Sequence, residues 1–262
     1  MPEIIPIFEK RFQIPSYFVD DRSQLTINAL FSLLQEVSNS HATLLGAGWH
    51  ELLERGYFWV LTKMQLKICR LPEWTEPVVL RSWVRKSDAA TSPRDYEMTD
   101  ANGNLLIAGS SIWAILDTTD GRPQRMSMFD GMFLPQERTA LDRRPAKIGP
   151  LTLPDTLPEA KEVVHSDIDM NHHVNNANYI RWALDAVSEE FRQTHRLTDV
   201  SVNFIAQAKL GDRYIVCSEP LSETAFKTAI LSADGLTTYC RLQTDWDSAV
   251  GCSLFAGETL TP

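Results

Sequence analysis

The stretch Ser166–Ala186, SDIDMNHHVNNANYIRWALDA, joins a knot of polar side chains to the start of an amphipathic run. Tyr179, Trp182, Ala183, Ala186, Val187 and Phe191 recur at spacings of three and four, which predicts a helix with Asp185, Glu189 and Glu190 turned to water. Its expected N-cap is Asn175 or Asn176. Just upstream, Asp169, Asn171 and His173 occupy alternate positions. In an extended segment alternate side chains share a face, so a carboxylate, an amide and an imidazole should converge where the helix begins. The positive end of the helix dipole would face the same volume and suit a developing oxyanion. The competing account is turn and capping duty, for which Asn and Asp are common.

Working outward, the same order of elements is expected twice. The first half reads as a strand (Lys10–Val19), a long helix (Thr26–Leu45) and strands over Tyr57–Arg70, Pro77–Lys86, Arg94–Asp100 and Asn104–Asp117, the last two joined by a turn at Asn102-Gly103. The second half reads as a strand over Ala160–Ser166, the helix described above and strands over Asp199–Lys209, Arg213–Ser218, Ala225–Ser232 and Leu236–Trp246, with Asp234-Gly235 at the matching turn. Ile27, Leu30, Phe31, Leu34, Val37 and His41 form an apolar face on the first helix, which should lie against its own curved sheet. Thr118–Pro158, rich in Pro and Arg, reads as the connection; at some forty residues part of it should pack against both units. Aligning the helix starts sets Asp169 against Asp20, Asn171 against Arg22 and His173 against Gln24, so only the second copy keeps the whole set. This argues for a functional second copy and a structural or ligand-binding first one.

A chain of 262 residues holds one large or two modest domains. With 25 basic and 34 acidic residues, its net charge of -9 argues against general binding to nucleic acid or anionic membranes. No apolar run approaches the roughly 20 residues that span a bilayer, and MPEIIPIFEKRF has no secretory pattern, so a cytoplasmic protein is expected. Cys69, Cys217, Cys240 and Cys252 are scattered, as small buried residues would be. His165, His172 and His173 lack partners at a metal-ligand spacing, and no metal is expected.

The chain resembles the acyl-acyl-carrier-protein thioesterases of bacterial type over nearly its full length. The matching stretches are LTINALFSLLQEVSNSHATLLG, YFWVLTKMQLKICRLPEWTEPVVLRSWV and SSIWAILD in the first half, then SDIDMNHHVNNANYIRW and VNFIAQAKLGD in the second. HVNNxxY is shared with many single-unit thioesterases; VLTKMQLKI and WTEPVVLRSWV, in order ahead of it, are more specific. The resemblance implies an α+β tandem hot-dog, two antiparallel sheets each wrapped around a long helix. It places an N-terminal unit with the acyl-chain pocket at 1–120, a connecting segment at 121–155 and a catalytic C-terminal unit at 156–262.

It further implies hydrolysis of fatty acyl-acyl-carrier protein, releasing free fatty acid and ending synthesis, with no cofactor. The family's Asp-x-Asn-x-His motif maps onto Asp169, Asn171 and His173. Its further carboxylate falls on Gln207, which can be neither base nor nucleophile but can hold a water or orient His173. Asp169 would then be general base or direct nucleophile, with Asn171 and the helix start near Asn175 and Asn176 holding the carbonyl oxygen. Trp59 and Met64 are candidates for the acyl pocket wall, or else core residues. The acyl carrier protein is the expected partner, docking on basic residues of the connection such as Arg143 and Arg144; a solvated loop is the alternative. Self-association into a homodimer is compatible with such units. The rival functions are an acyl-CoA thioesterase, a hot-dog hydratase or dehydratase, and a non-catalytic acyl-thioester binding protein.

Overall fold

The computed structural model describes residues 5–248; Cys252 lies outside them. Strands β1 (Ile7–Gln13), β2 (Tyr57–Ile68), β3 (Pro77–Val84), β4 (Ser92–Asp100) and β5 (Leu105–Asp117) come from the first half. Strands β6 (Lys161–Glu162), β7 (His195–Phe204), β8 (Arg213–Pro220), β9 (Ala225–Ser232) and β10 (Thr238–Ser248) come from the second. They run in the order β1-β3-β4-β5-β2-β7-β10-β9-β8-β6 as one antiparallel ten-stranded sheet, in a hot-dog arrangement. This corrects the expectation of two sheets. The halves fuse edge to edge through β2 and β7, where Met64 pairs with Val202, Gln65 with Ser201 and Leu66 with Val200. A strand edge left open in either half would expose a row of unpaired backbone groups; each half covers the other's.

The pairing pattern carries a pseudo-twofold relation through Gln65 and Ser201. Leu61 pairs with Trp113 and Leu197 with Trp246, so the two tryptophans are equivalent. Each indole donates to the hydroxyl two residues earlier, Trp113 to Ser111 and Trp246 to Thr244. In β2 a bulge at Thr62 shifts the alternation, so that Trp59 and Leu61 face the same side as Met64 and Leu66.

Helices α1 (Ile27–Leu44) and α3 (Asn176–Asp185) contact each other and pack into a shared core with Met64, Leu66, Val200 and Val202. Thr26 caps α1 by accepting from the Ala29 N–H, and Asn175 caps α3 by accepting from the Ala177 N–H. The second helix is shorter than its apolar spacing suggested. It ends at Asp185, and Ser188 caps a separate helix α4 (Glu189–Thr194) that carries Phe191. Helix α2 (Trp49–Glu54) was not expected from the sequence. It follows a turn in which Gly46 is left-handed (φ 74°) and Gly48 lies so close to the end of α1 that a Cβ there would meet Thr43 Oγ1 at 2.3 Å.

The connection crosses the other face of the sheet. Asn203 on β7 accepts from the Ile148 N–H and donates to the Ala146 carbonyl, while earlier Trp83 donates to the Arg138 carbonyl. It therefore packs against both halves. Met64 is wholly buried in the core, which corrects its candidacy as a pocket residue. Met64→Ala is expected to lower unfolding stability by about 2–5 kcal/mol in denaturant titration while leaving ligand affinity of the folded protein unchanged.

Candidate active site

Asp169, Asn171 and His173 do not lie along an extended segment. Ile168 and Val174 form a β-bridge, and the residues between them make a tight turn. The Asp169 N–H donates to the His173 carbonyl (2.9 Å), the His172 N–H to the Asp169 carbonyl (3.0 Å), and the Asn171 N–H to Asp169 Oδ1 (2.8 Å). His172 is left-handed at φ 61°. The turn is copied in the first half. Val19 bridges Leu25, Asp20 accepts from the Arg22 N–H at 3.0 Å, and Ser23 has φ 61°. Asp20 therefore does for its turn what its aligned partner Asp169 does here, so the aspartate of the set has a structural duty in both copies. One oxygen of Asp169 is structural; Asn171 and His173 are what the second turn adds.

The turn borders two connected spaces. Asp169, Asn171, His173, Asn176, Gln207 and Trp59 all line a cavity of about 780 Å3. Asp169, Asn171 and Trp59 also line an adjoining pocket of about 350 Å3, with Asn175. Asn175 and Asn176 stand where α3 begins, so the positive end of that helix faces these spaces. Gln207 is held by the next residue, whose N–H donates to the Tyr179 hydroxyl at 2.9 Å.

The Asn171 side chain is fixed from the other half of the chain. Trp49 at the start of α2 donates its indole N–H to Asn171 Oδ1 at 2.7 Å. Because indole is a donor only, the amide orientation is settled and its NH2 group remains to donate elsewhere. The spacing of Trp49, Leu52 and Leu53 after the Gly46-Ala47-Gly48 turn is the signal that could have revealed α2; the contact across 122 residues has no local signal. Trp59 is packed as a wall, stacked on Phe129 with its indole bonded to the Ala47 carbonyl.

His173 Nδ1 is buried with no protein hydrogen-bond partner. Burial, then the positive charge of Lys209, lowers the pKa of its imidazole; the Asp169 carboxylate opposes this and His172 adds to it. The ring is thus neutral at pH 7 and able to accept a proton. Arg143 and Arg144 are elsewhere. They line a cleft with Gln65, Lys67, Asp199 and Ser201 on the opposite face of the sheet, and share no lining residue with the cavities at the turn.

The pseudo-twofold relation gives the site a twin, a cavity of about 390 Å3 lined by Asp20, Arg22 and Gln24, with His195 and Trp246. It has the turn carboxylate, with Arg22 and Gln24 at the positions that Asn171 and His173 occupy in the second half.

A family model described as the acyl-ACP thioesterase N-terminal domain matches residues 6–128, and one described as the C-terminal domain matches residues 157–248. The chain belongs to the acyl-ACP thioesterase family. It is 27% identical over 214 residues to a chloroplastic acyl-[acyl-carrier-protein] hydrolase of Cuphea viscosissima, covering 75% of this chain and 51% of that one. The chain thus spans about half the length of such curated relatives. Its fold is shared with an acyl-ACP thioesterase from Bacteroides thetaiotaomicron (TM-score 0.85, 24% identity, 92% of this chain and 98% of that one). The 12:0-ACP thioesterase from Umbellularia californica gives a TM-score of 0.82 at 19% identity, covering 95% of this chain and 100% of that one.

The charges around His173 predict a signed titration. Followed by NMR of the ring, Lys209→Ala should raise its pKa toward 6.5 and Asp169→Asn should lower it further. Shifts of the opposite sign would show that other groups set the charge of the ring.

Proposed function

We propose that the chain hydrolyses the thioester of a fatty acyl-acyl carrier protein, releasing the free fatty acid and ending its synthesis in the cytoplasm. The observation that carries this is the meeting of Asp169, Asn171, His173 and Gln207 on one cavity, with the Asn171 amide oriented by Trp49. The substrate class comes from the family and from relatives named as acyl-carrier-protein hydrolases.

In the proposed reaction the substrate carbonyl oxygen accepts from the Asn171 NH2 group, close to the start of α3, where charge developing on it is stabilised. Asp169 Oδ1 stays with the Asn171 N–H, and Oδ2 takes a proton from the attacking water. The water oxygen bonds to the carbonyl carbon, the C–S bond breaks, and the pantetheine sulfur leaves as thiolate and takes up the proton. His173, neutral, and Gln207 orient the water. The acyl chain extends into the pocket walled by Trp59. Arg143 and Arg144 lie on the opposite face of the sheet from this opening, so their arrangement gives carrier docking there no support.

A second reading, a binder of acyl thioesters without turnover, is favoured by one residue: Gln207 has no carboxylate to offer. Thiol release from acyl-carrier-protein thioesters, run beside the matching CoA thioesters, separates the two. Turnover that prefers the carrier protein is expected; binding with no release of thiol would establish the second reading.

Asp169→Asn should reduce kcat by about 100-fold or more, as loss of a general base does. Trp49→Phe frees the Asn171 amide and should lower kcat with little change in KM, whereas a rise in KM alone would mean that Trp49 only walls the pocket. Because the lowered pKa keeps His173 neutral into mild acid, the acid limb of kcat/KM should lie below pH 6.5.

A further inference from the structure

The 350 Å3 pocket has a floor that a plain hydrocarbon chain does not explain. Arg94, on β4, lines it at 7% exposure, together with Ser38 and Ser92, which are equally buried. Its Nη1 group donates to His41 Nδ1 (2.9 Å) and to Ser82 Oγ (3.0 Å). His41 brings no charge. Burial, then the adjacent guanidinium, pushes its pKa down to about 4, and its Nε2–H is used on the Ile5 carbonyl at 2.8 Å.

Among the described residues no carboxylate forms an ion pair with Arg94. Asp95 next to it is taken by Arg85 and the Ala140 N–H, and Glu36, on the same pocket wall, is taken by Lys10. Burial presses on the Arg94 pKa, but a guanidinium keeps its proton in proteins. A desolvated cation without a counter-charge is costly.

The fold does not require it. Arg94 pairs with Ser111 on β5, and the pseudo-equivalent pair on β9 and β10 is Phe226 with Thr244. There an aromatic ring packs against Phe191 in place of the guanidinium. The first half has therefore put a charge where its twin puts a ring, and the charge faces the pocket. From β2, which carries Trp59, to β4 is two strand spacings, roughly 10 Å across the sheet, and the pairing of Trp59 with Ile115 and of Arg94 with Ser111 sets them four residues apart along it, roughly 13 Å. A chain entering past Trp59 therefore runs obliquely over the sheet, roughly 16 Å between the two backbones, to meet Arg94.

We propose that this pocket takes an acyl chain whose end distant from the thioester carries an oxygen function, best a carboxylate, which Arg94 binds. The proposal rests on the thioesterase reading and names its substrate class. A terminal carboxylate supplies the missing counter-charge, whereas a methyl terminus leaves the guanidinium desolvated and unpaired. Sites built around a buried polar group reject analogues that lack its partner.

The test uses two matched series of pantetheine derivatives, methyl-terminated and ω-carboxy-terminated, with chains of about six to fourteen carbons, a range that brackets the oblique reach from Trp59 to Arg94. S-alkyl thioethers report binding by calorimetry, and the thioesters of the same chains on acyl carrier protein report turnover. The expected result is at least roughly tenfold tighter binding of the best ω-carboxy thioether over its methyl counterpart, with the order reversed in Arg94→Met. Equal or tighter binding of the methyl series by the wild-type protein, or binding of neither series, overturns the proposal whether or not Arg94→Met folds. Carboxy-selective binding without thioester turnover would leave the proposal standing and remove the hydrolase reading. Turnover without selectivity would do the reverse.

Discussion

The antiparallel pairing of β2 with β7 is the constraint on which the rest depends. It spans five residue pairs, from Lys63 with Asn203 to Lys67 with Asp199, and turns two half-sheets into one. By bringing the inner strands together it lays α1 and α3 in contact over a common core. It also sets the turn of each half beside the helix and strands of the other, which is why Asp169 and Asn171 share a pocket with Gln35, Trp59 and Trp113. Both halves build the site: the second supplies the turn and, with Tyr179, Phe204 and Gln207, part of the wall, and the first supplies Gln35, Trp49, Trp59 and Trp113. Side chains reinforce the junction on its outer face, where Gln65 donates to Asp199 and Asn203 pins the connection.

The duplicated turn separates what the backbone needs from what chemistry needs. Both copies use an aspartate oxygen to accept the N–H two residues on, and both place a left-handed residue just before the closing bridge. Asp169 is therefore accounted for by the turn, and its remaining oxygen is available for a second duty. Asn171 and His173 have no such local duty. The twin carries Arg22 and Gln24 at these positions and folds in the same way, so an amide and an imidazole there reflect a demand outside the backbone.

Much of this was legible in the sequence because the determinants are local. The spacing along α1, the caps at Thr26 and Asn175 and the hairpin turn at Asn102-Gly103 each act within a few residues. The convergence of Asp169, Asn171 and His173 was legible as well, although its geometric reason was not: a tight turn gathers them, where strand alternation was expected, and Gln207, singled out by the family resemblance, reaches the same cavity from beyond the end of β7. What the sequence did not show is decided between distant segments. Edge pairing of β2 with β7 uses main-chain groups that every residue has. Trp59 and Met64 could not be told apart, because both face inward once the bulge at Thr62 resets the alternation, and only the surrounding packing makes one a wall and the other core. The helix run toward Phe191 broke because Ser188 offered a new cap within an unbroken apolar spacing.

The orientation of the Asn171 amide traces back to a glycine. Gly48 sits where a Cβ would lie 2.8 Å from Thr43 Cα, a backbone contact that cannot give way as a flexible side-chain tip can. A larger residue would push the start of α2 away from the end of α1, and Trp49 is the first residue of α2. The indole N–H would then lose its 2.7 Å contact with Asn171, and the amide could turn over, presenting to the cavity an acceptor where the proposed reaction calls for a donor. A turn in the first half thus sets the polarity of a side chain in the second, and the link between them is a single hydrogen bond.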